Sequence, residues 1–80
     1  MQIEMKYFGM IAEKTGKETE TLSFEDSITL EFLKEHLIAK HPQLEKVYYT
    51  FAVAMEIINE LDHIISSDCE IALLPAFAGG

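Results

Sequence analysis

Eighty residues make a single domain with a thin core, because a chain this short buries only roughly 60% of the surface that its unfolded form exposes. Fourteen acids stand against six lysines and no arginine, a net charge of -8 that repels phosphate backbones and leaves no bidentate phosphate clamp. No apolar run approaches the ~20 residues that cross a bilayer, "MQIEMKYFGM" lacks the form of a signal peptide, and the lone Cys69 suggests a reducing compartment, so the expected setting is the cytoplasm, with neither membrane nor nucleic acid as partner.

The first element is a strand. In "QIEMKYF", Ile3, Met5 and Tyr7 point one way, and Gln2, Glu4, Lys6 and Phe8 the other. Gly9 and the polar "EKTGKE" read as a connection, with Gly16 as its turn. "TETLSF" reads as a second strand, antiparallel to the first. The spacing of Leu30, Leu33, Leu37 and Ile38 then predicts a helix. Thr29 is its expected N-cap, Glu31 suits the first turn, Lys40 and His41 suit the last, and Pro42 stops it.

"VYYTFAVAMEII" is rich in β-formers, and a strand is expected at 51–54; residues 56–58 either continue it or return from it. "NELDHIISSD" reads as loop with one helical turn, and "CEIALLP" as a last, central strand. This order predicts an α+β domain in which one main helix packs across a mixed sheet. The first and last strands can then pair in parallel, because the helix supplies the crossover.

The usual catalytic kits are absent. His36, His41 and His63 follow no metal-binding spacing and read as solvated or helix-end residues, so no metal site is expected. Cys69 stands beside Glu70, without the positive surroundings that lower a thiol pKa. The carboxylates show no distinctive pairing. Their even spread reads as a solubilising surface, or, more sharply, as a preference for basic partners.

The end of the chain, "LLPAFAGG", is the remaining candidate. Residues 76–80 can extend roughly 16 Å beyond a body of residues 1–75, at about 3.3 Å per residue. Gly79 and Gly80 fit a channel too narrow for any other residue, and Gly80 carries a carboxylate that a partner could activate as an acyl-adenylate. On physical grounds alone, a working tip and a ragged end both remain open.

The strings "DCEIALLPAFAGG" and "MKYFG", in a chain of this length, resemble the small subunit of molybdopterin synthase. The resemblance implies a ubiquitin-like β-grasp fold with a flexible Gly-Gly tail, and a cycle centred on Gly80. A ubiquitin-activating-type adenylyltransferase uses ATP and magnesium to adenylate Gly80, and a sulfur donor protein converts it to a thiocarboxylate. The tail, through Phe77, Ala78 and Gly79, then inserts into the large synthase subunit of a heterotetramer. There its sulfur passes to a cyclic pyranopterin precursor in molybdenum cofactor biosynthesis. The chain itself binds no cofactor and serves as co-substrate, with the catalytic groups on the large subunit.

Three positions depart from the family pattern. Ala76 replaces a second proline, Asp68 replaces a turn glycine, and Met55 stands where a turn asparagine is common, which puts the hairpin near Glu56 in question. A carrier for thiamine thiazole synthesis or tRNA thiolation, a ubiquitin-like protein modifier and a binding-only domain are the competing readings.

The same alternation assigns faces at the tail. Ile71 and Leu73 are the better core pair, so Leu74 faces outward with Phe8, close to Phe77. Together these three form an expected docking patch for the large subunit.

Overall fold

The computed structural model of the chain describes residues 1–76. Strand β1 (Gln2–Tyr7) buries Ile3, Met5 and Tyr7, as its alternation requires. A short helix, α1 (Met10–Thr15), leads to β2 (Thr19–Ser23), which returns antiparallel to β1 with Ile3 opposite Leu22 and Met5 opposite Glu20. Two-residue β3 (Ile28–Thr29) runs into the main helix, α2 (Leu30–Lys40), and a 3₁₀ turn at Pro42–Lys46 follows. Then come β4 (Tyr49–Val53), β5 (Glu56–Ile58), β6 (Ile64–Ile65) and β7 (Cys69–Pro75).

The main sheet has the order β2-β1-β7-β4-β5. Strand β7 is central, parallel to β1 and antiparallel to β4. Helix α2 sets Leu30, Leu33 and Leu37 into the core with Ile3, Met5, Ile71 and Leu73, all without solvent contact. The Thr29 hydroxyl accepts the Phe32 amide at 3.1 Å, the N-cap that the sequence predicts. This is the β-grasp arrangement, with one main helix across a mixed sheet.

Several details differ from the sequence reading. Residues 10–15 form a helix rather than an irregular connection. Ile11 anchors it in the core, and Gly16, left-handed at φ 75°, closes it by donating to the Ala12 carbonyl at 2.8 Å. Strand β4 starts earlier, at Tyr49, and stops at Val53, because the turn occupies Ala54 and Met55. Residues 56–58 take the second of the two courses that the sequence leaves open and return antiparallel, pairing Val53 with Glu56 and Phe51 with Ile58. The stretch read as loop with a helical turn contains β6, whose Ile65 pairs with Ile28. Asp68, at the position where the family has a turn glycine, does not take a positive φ, and its carboxylate accepts the Gln2 amide at 2.8 Å, tying the starts of the two parallel strands.

The largest departure is electrostatic. The carboxylates show no distinctive pairing in the sequence, yet Glu20 points into the core from β2, 7% exposed. Its Oε1 accepts the Tyr7 hydroxyl at 2.7 Å and lies 2.9 Å from His41 Nε2. Its Oε2 takes Lys40 at 2.6 Å and Lys17 at 3.2 Å. His41, expected to be solvated or at a helix end, is both the α2 C-cap and buried. Burial acts to raise the Glu20 pKa, but the hydrogen bonds from Lys40, His41, Tyr7 and Lys17 outweigh it and hold the carboxyl well below the usual range. Burial first, then the bond to Glu20 and its charge, push the Tyr7 hydroxyl far up.

A carboxyl whose pKa is lower folded than unfolded adds stability above its unfolded value, and that stability is lost as pH falls toward the folded value. Denaturant titrations should therefore show stability declining below about pH 5, with a shallower decline in Glu20→Gln. At neutral pH the same variant should lose about 2 kcal/mol, because a charged acceptor of several hydrogen bonds is gone. An unchanged acid slope in Glu20→Gln would refute this assignment.

Candidate functional site

The site is built where β7 ends. Pro75 lies opposite Tyr49, and the Ala76 amide donates to the Tyr48 carbonyl at 3.1 Å, so the strand is held to its last residue and one beyond. Gly9 faces Pro75 from the other side. Its φ of 55° suits glycine, and an added Cβ would stand 3.3 Å from the Pro75 ring. The Gly9 carbonyl also accepts the Ala12 amide at 3.1 Å and opens α1. Backbone on two sides therefore fixes where the chain leaves the sheet. Phe77, Ala78, Gly79 and Gly80, expected to form the inserted tail, lie outside the described residues.

The outer face of the sheet supports this exit. Tyr7 is paired with Leu73, which brings Phe8 and Leu74 to the same end of neighbouring strands. Phe8 is 47% exposed and Leu74 half-buried, while Ile71 and Leu73 are fully buried, so the two faces of β7 divide as alternation predicts. Across the sheet, Ala72 pairs with Ala52, and Ala52 with Ile57, giving an outward row that ends on an exposed isoleucine. Ile57 was not foreseen: its direction depends on residues 56–58 returning as β5. Lys6 lies 3.9 Å from both Glu4 and Glu70 on this face, exposed pairs of the kind that contribute little to stability.

Chemistry within the described residues is passive. Burial, then the nearby Asp68 charge, raise the Cys69 thiol pKa, opposite to what a nucleophilic thiol needs. The Glu20 carboxylate is already occupied by four donors. Among the described residues no cluster of three or more histidine, cysteine or acidic side chains could hold a metal ion. No helix there is long and apolar enough to cross a membrane. The arrangement can present a chain end beside an apolar surface, and its own side chains offer no reacting group there.

The two positive-φ glycines, Gly9 and Gly16, should respond differently to substitution. Gly9→Ala adds both backbone strain and contact with Pro75, whereas a Cβ at Gly16 meets nothing within 4 Å. Thermal unfolding should show Gly9→Ala the more costly, by about 1 kcal/mol or more beyond the ~1 kcal/mol of Gly16→Ala. Equal losses would mean that Gly9 does not brace the tail root.

Known proteins share this whole layout. The chain is 32% identical to the molybdopterin synthase sulfur carrier subunit of Chlamydomonas reinhardtii, with all of both chains covered. The crystal structure of SAMP1 from Haloferax volcanii superposes with a TM-score of 0.82 at 24% identity, covering all of both chains. Full coverage of both chains also holds for a chain of the Helicobacter pylori complex of subunits 1 and 2 of molybdopterin-converting factor, at a TM-score of 0.69 and 22% identity. Residues 5–80 match the ThiS family, so this ubiquitin-like β-grasp chain belongs to the ThiS family.

Proposed function

We propose that this chain is the sulfur-carrier subunit of a molybdopterin synthase. The observation that carries the reading is the pinned exit of β7 beside an apolar sheet face, in a chain with a full-length relative of that function. The Gly80 carboxylate attacks the α-phosphorus of ATP on a magnesium-dependent adenylyltransferase, and pyrophosphate leaves. Hydrosulfide released by a donor protein attacks the carbonyl carbon and displaces AMP, forming the C–S bond of a thiocarboxylate. The tail then enters the large subunit, where the thiocarboxylate sulfur bonds to a carbon of a cyclic pyranopterin precursor and displaces an oxygen leaving group. Water then cleaves the acyl–sulfur bond, which leaves sulfur on the precursor and restores the carboxylate. ATP, magnesium and the catalytic groups belong to the partners. Glycines at the tip suit a narrow channel, since they carry no Cβ.

Phe8, Leu74 and Phe77 would dock the large subunit, with Ile57 extending the same face. Burying an apolar side chain of this size contributes roughly 1.5–3 kcal/mol before association costs. Phe8→Asp or Leu74→Asp should therefore weaken binding to the large subunit at least about tenfold in calorimetric titration, while the isolated domain stays folded. Normal binding by both variants would place the patch elsewhere.

The activation step is tested by intact mass. After incubation with the adenylyltransferase, ATP and a sulfur source, the mass should rise by one oxygen-to-sulfur exchange, located on Gly80. Deletion of Gly80 should abolish it without a large change in thermal stability. Sulfur on Cys69, or none, would sink the carrier reading. Higher-mass conjugates that depend on Gly80 would instead mark a protein modifier.

A further inference from the structure

The β4–β5 turn holds two adjacent non-glycine residues in the left-handed region, Ala54 at φ 50° and Met55 at φ 70°. A two-residue hairpin turn with both φ values positive favours Asn-Gly, which adopts it at little cost. A residue with a Cβ and no polar side chain is strained there, because its Cβ crowds the following carbonyl oxygen. No packing explains the choice at the apex, because Met55 is 93% exposed, the most exposed of the large apolar side chains described. The turn therefore keeps strain in order to hold an unbranched, polarisable side chain in water, where it stabilises nothing within the monomer.

The neighbours give that side chain a context. Met55 is the second residue of the two-residue turn that joins Val53 to Glu56, at the end of β4 away from the tail exit. The Ala54 amide donates to the Glu70 carbonyl at 2.9 Å, which sets Glu70 beside the turn, and exposed Glu56 follows the apex. Glu4 and Asp68 add charge at the same end of the sheet, with Lys6 the one cation in that ion-pair group. An apolar apex with an acidic surround complements an apolar pocket with a basic rim.

We propose that the Ala54–Met55 turn is a second anchor, with Met55 seating in an apolar pocket rimmed by lysine or arginine on the protein that receives the tail. The tail root and the turn lie at opposite ends of β4, about 17 Å apart at about 3.3 Å per residue. A partner covering both would be held at two points, which fixes the direction in which the tail enters. The inference rests on the sulfur-carrier reading, since it takes the large synthase subunit as that protein.

The test separates folding from binding. Ala54→Asn with Met55→Gly installs residues suited to the turn, and the thermal midpoint should rise by about 4 °C or more. Affinity for the purified large subunit should nonetheless fall about tenfold by calorimetry. Met55→Leu, which keeps an apolar apex, should retain most of the affinity. Glu56→Lys should weaken binding more at low salt than at high. Unchanged affinity in the double variant, beside a large loss in Phe8→Asp, overturns the anchor and leaves the carrier reading standing. A double variant that loses stability along with affinity overturns the anchor too, because the loss then runs through the fold. Failure of the unaltered chain to bind the large subunit overturns both.

Discussion

Strand β7 exchanges backbone hydrogen bonds with β1 on one side and β4 on the other, and the parallel half of that arrangement sets the rest. Parallel neighbours need a long crossover, which α2 and its flanking turns provide. Once the two strands lie together, Ile3 and Met5 stand beside Ile71 and Leu73, and the apolar stripe of α2 has a surface to cover. The opposite face of the same strands is then left to water or to a partner. Tail direction, outer face and core all follow from one register, in which Tyr7 meets Leu73.

Glu20 ties the crossover to that sheet. Apolar packing holds α2 against the strands but does little to fix its rotation or its end. A buried carboxylate that draws Lys40 and His41 from the helix terminus, Tyr7 from β1 and Lys17 from the α1–β2 connection does fix them. Such a group is stabilising only while every lone pair is used, since an unpaired buried charge costs several kcal/mol. The arrangement also explains why β2, at the sheet's edge, carries an acid on its inner face. The acid answers cations from two directions.

Much of the fold is legible in the residues because the signals are local. Alternation in "QIEMKYF" and "CEIALLP" assigns both faces of β1 and β7, and with them the outward direction of Phe8 and Leu74. Thr29 and Pro42 bound α2 by capping chemistry and by a missing amide. What is not legible depends on distant partners. A six-residue helix such as α1 has one buried position, too few for a period to show. Two-residue β3 and β6 exist only because each pairs with the other across the chain. Glu20 looks like any surface acid until helix and strand meet. Ile57 and Met55 depend on a turn formed by alanine and methionine, residues with no left-handed preference to announce it.

Placing the last described strand at the centre of the sheet also governs how the molecule comes into being. The β1–β2 and β4–β5 hairpins are local and can form early, but neither is joined to the other until β7 arrives between them. Its contacts are far apart in sequence, with Gln2 and Asp68 separated by 66 positions, so they raise the contact order on which folding rate depends. A chain broken off ahead of Cys69 would have neither a finished core nor the outer face. Completion of the sheet therefore waits on β7, which supplies both the shared neighbour of the two strand pairs and the core residues Ile71 and Leu73.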